Sequence, residues 1–306
     1  MPVAALVATP AAQVACGAHF SLVLSDAGDV LFSFGANESG QLGRATMTPD
    51  GGQQAWDAAP TPVERDARSS CTHVGSLPEG VRLRHVSGGA RHALCVSAVD
   101  GAVYSWGGGA HGCLGHGHGD DGAQPRPRRL EGPLRGVRVT QVAAGDDFSL
   151  AVDAAGALWS WGCGDEGRLG HGDEESRGTP ARVAALLDQS AAARTPVVVR
   201  AASAGGDHAL VLSEAGEVFS FGCGDEGQLG HGDDRANQPT PTRVAGLAGP
   251  GVRVAEVSAG FFYSAARTEG GALHTWGNGE GGKLGHGDEE EQPAPMAVGA
   301  LDGCLV

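Results

Sequence analysis

Lysine is nearly absent from this chain. Lys283 is its single example, and the 21 basic residues are outnumbered by 36 Asp and Glu, for a formal net charge of −15. Binding to a nucleic-acid backbone rests on clustered positive charge, so no nucleic-acid partner is expected. An acidic surface is equally ill-suited to anionic membranes. The one dense basic stretch, Arg126, Arg128, Arg129, Arg135 and Arg138, is broken by Pro and Gly and reads as a solvated strand edge. No apolar run approaches the roughly 20 residues of a membrane-crossing helix, so no membrane insertion is expected. The Ala-rich start lacks the positive charge of a signal peptide, since the first basic residue is Arg44. Seven cysteines occur without a C-x-x-C pair, which argues against a zinc site or a disulfide framework. Cys163 and Cys223 hold the same place in neighbouring repeats and read as small filling residues. A reduced setting, cytoplasmic or nuclear, fits this cysteine usage.

Glycine is what the chain has in excess, 52 of 306 residues, against an average near 7%. Such a share means low complexity or many tight turns, and only the second is periodic. Five segments superpose: Val14–Gly43, Val86–Gly115, Val142–Gly170, Ala202–Gly230 and Val257–Gly285. Gly17, Gly89, Gly145, Gly205 and Gly260 form a first anchor; Gly35, Gly107, Gly162, Gly222 and Gly277 a second; Gly43, Gly115, Gly170, Gly230 and Gly285 a third. The second and third anchors are 8 residues apart in every repeat, and second anchors recur after 72, 55, 60 and 55 residues. A spacing held constant five times marks a repeat architecture, one domain over 1–306 with repeats at about 10–62, 81–130, 137–183, 197–244 and 252–298.

Each repeat reads as strands. A β-type run such as His208-Ala209-Leu210-Val211-Leu212 is followed by a Gly turn and a second run such as Val218-Phe219-Ser220-Phe221, which predicts a hairpin. A Pro-bearing segment, as in Pro180–Val183, Pro241–Val244 and Pro295–Val298, suits an outer strand because Pro lacks an N–H. With the run before the next anchor this makes about four strands per repeat, the blade of a propeller. Between the second and third anchors, Gly109, Gly164, Gly224 and Gly279 align with Asn37. Asn is the non-glycine residue most tolerant of a left-handed backbone, so a positive φ is expected there.

The phrases Trp161-Gly162-Cys163-Gly164-Asp165-Glu166-Gly167-Arg168-Leu169-Gly170-His171-Gly172-Asp173 and Gly205-Gly206-Asp207-His208-Ala209-Leu210 resemble the repeats of the regulator-of-chromosome-condensation family. The resemblance covers nearly the whole chain. It implies an all-β propeller of four-stranded antiparallel blades. The family's usual number is seven, and this chain supplies five, so an incomplete ring is expected. Light-sensing members rely on tryptophans in a Gly-Trp-Arg-His-Thr phrase; the cognate Gly17-Ala18-His19-Phe20-Ser21 and its partners carry none.

Several motifs invite sharper readings. Gly-x-Gly-x-x-Gly occurs four times, as at Gly107, Gly109 and Gly112, but without the helix that completes a dinucleotide fold. His116, His171, His231 and His286 each follow Leu-Gly. Equivalent positions on packed sheets lie on the order of 10 Å apart, too far to share an ion that needs ligands at about 2.0–2.2 Å. A loop-closing hydrogen bond is the expected role, and neither metal nor cofactor is expected. His92 and His208 alternate with Phe20, Phe148 and Tyr263, which indicates packing. No Ser/His/Asp or Cys/His grouping stands out for catalysis, so no enzyme activity is assigned.

The candidate partner-binding residues are Asp146, Asp147 and Asp207 after first anchors, and Asp165, Glu166, Asp225 and Glu226 after second anchors. Gathered on propeller faces, they would select basic protein surfaces. The non-repeat stretch 44–80 adds Trp56 as a contact candidate. The expected function is a protein-interaction scaffold or regulatory module, with pairing through open propeller edges a further route to a partner. The alternatives the resemblance supplies are guanine-nucleotide exchange on a small GTPase, and substrate recognition within a ubiquitin ligase.

Overall fold

The computed structural model describes residues 10–43, 57–62, 77, 81–117, 122–187, 196–249 and 251–301. Trp56 and most of the 44–80 stretch lie outside these residues. Five four-stranded antiparallel sheets, each made of the consecutive strands of one repeat, are the blades of a β-propeller. The first blade holds β1 (Ala11–Cys16), β2 (Phe20–Ser25), β3 (Leu31–Gly35) and β4 (Asp57–Pro62); the second β5 (Leu83–Gly88), β6 (His92–Ser97), β7 (Val103–Gly107) and β8 (Gln124–Arg129). The third holds β9 (Val139–Ala144), β10 (Phe148–Asp153), β11 (Leu158–Gly162) and β12 (Arg177–Arg182). The fourth holds β13 (Val199–Ala204), β14 (His208–Ser213), β15 (Val218–Gly222) and β16 (Gln238–Arg243), and the fifth β17 (Val254–Ala259), β18 (Tyr263–Thr268), β19 (Leu273–Gly277) and β20 (Gln292–Ala297).

The chain divides into two compact units: Met1–Ala154 with Trp161–Cys163 and Arg177–Ala181, and Ala155–Ser160 with Gly164–Ser176 and Arg182–Val306. In the first unit, Leu22, Leu24, Val86, Cys95 and Trp106 are buried together between the first two blades. In the second, Leu210, Leu212, Val254, Ala266 and Trp276 do the same between the fourth and fifth. Burial of side chains this size contributes roughly 1.5–3 kcal/mol each, so stability resides in the seams between blades. The outer strands carry the prolines. Their ladders skip, as between Ser105↔Arg128 and Gly107↔Gln124, where the Pro residues of β8 lack a donor.

Polar groups in the seams are placed as deliberately as apolar ones. Trp106 Nε1 donates to the Gln41 carbonyl at 2.9 Å, and Trp161 Nε1 to the Cys113 carbonyl at 2.8 Å. Ser149 Oγ also donates to the Cys113 carbonyl, at 2.8 Å, while bonding His92 Nε2 at 2.9 Å. The second unit repeats the device: Ser264 Oγ and Trp276 Nε1 both donate to the Gln228 carbonyl at 2.8 Å, and His208 Nε2 lies 2.9 Å from Ser264 Oγ. Packing is therefore only half the role of His92 and His208. Each also ties its blade to the next.

The backbone corrects one expectation. Gly109, Gly164 and Gly279 have φ of −105°, −99° and −96°, not positive values. At two of these places glycine is required for space: a Cβ on Gly164 would overlap the Glu175 carbonyl, and one on Gly279 the Glu290 carbonyl, where the chain returns across the loop. Asn37 is suited to its place by its side chain, whose Oδ1 accepts the Leu42 N–H at 3.1 Å. The left-handed backbone falls two residues later, on His111 (φ 55°), Glu166 (φ 59°) and Gly281 (φ 73°).

Candidate interaction surface

The strand register decides where the acidic loops go. His208 pairs with Gly222 and Tyr263 with Gly277, so the loop entering the second strand of a blade and the loop leaving the third lie at the same end of the sheet. Backbone bonds join the two loops: Cys163 N–H donates to the Asp147 carbonyl at 2.9 Å, Cys223 N–H to the Asp207 carbonyl at 2.9 Å, and Asn278 N–H to the Phe262 carbonyl at 3.0 Å. These junctions require the second anchors. Gly35, Gly107, Gly162, Gly222 and Gly277 have φ between 101° and 116°, and a Cβ on Gly162, Gly222 or Gly277 would strike the accepting carbonyl. Gly17, a first anchor, would strike the Phe20 ring instead. Gly43, Gly115, Gly170, Gly230 and Gly285, the third anchors, have φ of 72–79° and end the loop before the returning chain.

The acidic residues do not form a uniform set. Arg168, 8% exposed, donates from Nη1 to Asp207 Oδ1 at 2.5 Å, from Nη2 to Glu166 Oε2 at 3.1 Å, and from Nε to the Asp165 carbonyl at 2.9 Å. Glu166 and Asp207 are thus half-buried partners of an internal cation. Glu226 is half-buried and accepts from Asn278 Nδ2 at 2.9 Å. Asp165, Asp225 and Glu280 are exposed and face outward from this scaffold of bonds. Asp146 and Asp147 are half-buried at the same end of the third blade. The opposite end of the blades is mixed in sign, with Arg129–Asp100 at 3.0 Å, Arg243–Glu217 at 2.8 Å and Arg253–Glu269 at 3.2 Å.

Two features of this end had no counterpart in the sequence reading. One is Arg168 itself, which looks like an isolated basic residue in an acidic phrase. The other is Phe261, 50% exposed and edge-on to Phe262 with ring centroids 4.3 Å apart. The signal was present: the other repeats carry Ala18-His19, Ala90-Arg91, Asp146-Asp147 and Gly206-Asp207 at this place.

The loop histidines bind within their own blades. Ser105, Ser160, Ser220 and Thr275 donate their hydroxyls to the carbonyls of Leu114, Leu169, Leu229 and Leu284 at 2.6–2.7 Å. Each hydroxyl also lies 2.9–3.0 Å from Nε2 of His116, His171, His231 or His286. A hydroxyl has one proton to give, so the histidine is the donor in the second bond. Burial pushes the Cys223 thiol up to about 11, away from the thiolate that nucleophilic chemistry needs.

Fold and surface together define a repeat propeller whose loops are organised to present charge. The chain belongs to the RCC1-like domain family, whose model matches residues 2–306. It is 32% identical over 293 residues to the ultraviolet-B receptor UVR8 of Arabidopsis thaliana, covering 96% of this chain and 59% of that protein. It is 40% identical over 218 residues to the E3 ubiquitin-protein ligase HERC2 of Homo sapiens, covering 71% of this chain and 4% of that protein. Among solved structures, human WBSCR16 superposes with a TM-score of 0.79 at 29% identity, over 97% of this chain and 69% of that one. Prp20p of Saccharomyces cerevisiae superposes with a TM-score of 0.56 at 20% identity, over 94% and 76% of the two chains, which shows the shared fold. No helix among the described residues is long and apolar enough to cross a membrane.

Proposed function

We propose that this chain is a protein-interaction module, acting by binding and without catalysis, and that the acidic loops after the third strands of its third, fourth and fifth blades receive a basic surface of a partner protein. The observation that carries this reading is the exposure of Asp165, Asp225 and Glu280 on loops whose backbones are fixed by hydrogen bonds to their neighbours. Loops already fixed in backbone lose little freedom on binding, and an excess of negative charge there speeds encounter with an opposite charge. The relatives' names, a receptor and a ligase, are compatible with a module used in more than one assembly.

The test is a triple variant, Asp165→Asn, Asp225→Asn and Glu280→Gln. It leaves Glu166 and Asp207 in place, so Arg168 keeps its partners. Proteins retained by the purified domain at low salt should be largely lost by the variant, with an unchanged melting temperature. An identical set of retained proteins would overturn the reading.

A further inference from the structure

We propose that Phe261, with the adjoining acidic loops that bear Asp225, Glu226 and Glu280, forms a docking site for an arginine-bearing segment of a partner protein. The inference rests on the acidic-surface reading and adds an anchor to it. Phe261 is the one aromatic among the exposed large hydrophobic side chains of the described residues, at 50%. Its ring lies over Gly206, within 3.2 Å of where a Cβ would stand, and the Gly206 N–H donates to the Phe261 carbonyl at 3.2 Å. A small residue at 206 therefore seats the ring.

Asn278 fastens the aromatic loop to the carboxylates. Its N–H donates to the Phe262 carbonyl at 3.0 Å, its Nδ2 donates to Glu226 Oε2 at 2.9 Å, and its Oδ1 accepts the Glu280 N–H at 3.1 Å. One residue thus ties the loop that bears Phe261 to the Glu226 carboxylate and to the backbone of the loop that bears Glu280. The aromatic pair stands where the preceding seam has an internal ion pair. Gln228 is fully buried; its Oε1 accepts the Glu226 N–H at 2.9 Å, and its Nε2 has no partner among the described residues. The equivalent Arg168 reaches the carboxylate of Asp207, whose place in the next repeat is taken by Phe262. Phe262 thus stands where the preceding repeat has an internal acceptor, and Phe261, at the place of Gly206, is the ring left exposed.

The chemistry selects the ligand. A planar guanidinium stacks on an aromatic face and meets a carboxylate through two parallel N–H groups. A lysine ammonium satisfies the charge but not the stacking. An acidic or neutral apolar segment would desolvate these carboxylates without pairing them.

The experiment is fluorescence anisotropy at low salt with two labelled peptides of equal charge, one alternating Arg and Ser and the other Lys and Ser. The wild-type chain should bind the arginine peptide severalfold more tightly. Phe261→Ala should weaken that peptide by about threefold and abolish its advantage over lysine, with unchanged melting. Val99→Ala, an exposed apolar truncation at the opposite blade end, should change nothing. Wild-type affinity for both peptides in Phe261→Ala would overturn the aromatic anchor; if the triple acidic variant still lost binding, the broader reading would survive. Failure of the wild-type chain to bind either peptide would overturn both.

Discussion

Arg168 touches Glu166, Asp207 and the Asp165 carbonyl while only 8% exposed. Truncating it strands two carboxylates that water reaches only partly, so Arg168→Ala should destabilise by about 2 kcal/mol; an unchanged urea midpoint would contradict this. Backbone strain gives a prediction of opposite sign. His111 holds φ 55° on an exposed loop, a conformation that costs an L-residue about 1 kcal/mol or more and glycine almost nothing. His111→Gly should therefore raise the urea midpoint, whereas Gly164→Val, forced onto the Glu175 carbonyl, should lower it steeply. Equal midpoints for the two variants would refute the geometry. Burial lowers His92 to about 4 and His208 to about 3, from 6.5. Both histidines are neutral in the folded and unfolded chain above pH 6.5, so their contribution is complete there. Below 6.5 the unfolded chain takes up protons that the folded chain refuses, and stability falls by about 1.4 kcal/mol per pH unit for each until the folded value is reached. Replacing them by the residues found at the same place in other repeats, His92→Phe with His208→Tyr, should shrink the drop in melting temperature between pH 7 and pH 5. An identical drop would show that these histidines are not the cause.

Strands repeat with one instructive departure. In β14 the residues His208, Leu210 and Leu212 face the fifth blade, and every position of the strand is buried. In β18 the corresponding Tyr263, Ala265 and Arg267 are all half-buried, and Arg267 lies 3.4 Å from Glu256. The fifth blade carries Ala and Arg where the fourth carries leucines, and this face of its strand is less completely buried. Ala265→Leu with Arg267→Leu should create a sticky face and a concentration-dependent dimer or aggregate by light scattering; a monodisperse monomer at high concentration would contradict this. The blades, their hairpins and their Pro-bearing outer strands were legible in the sequence because glycine spacing and apolar runs are local signals. The charge pairing was not, because Arg168 and Asp207 are 39 residues apart and meet only across a blade seam. The positive φ was misplaced by two residues because glycine answers two demands, conformation and close approach, and Gly164, Gly224 and Gly279 answer the second. Phe261 was overlooked because its neighbour aligns with polar residues that carry no shared chemistry.

On the scale of the whole molecule, the net charge of −15 means that carboxylates outnumber the basic residues that could pair with them. Ion pairs occur at both ends of the blades, with Arg129, Arg243 and Arg253 at one and Arg168 and Arg235 at the other, where Asp165, Asp225 and Glu280 stand exposed. Binding through that end should weaken as salt shortens the screening length from about 10 Å at 0.1 M to about 3 Å at 1 M. The chain spans 59% of the length of UVR8 and 4% of HERC2, so this surface is one component where such propellers are part of larger proteins. The most direct test uses the chain's poverty in lysine. Lys283 is the sole lysine and is exposed on the loop that follows Glu280, so an amine-directed photo-crosslinker marks the acidic end, apart from the N-terminal amine, whose peptide is separable by digestion. With a retained partner bound, irradiation should join Lys283 to a basic, arginine-containing segment of that partner. A partner that stays bound while crosslinking only through the N-terminal amine, or not at all, would contradict the claim that the acidic loop end is the binding surface.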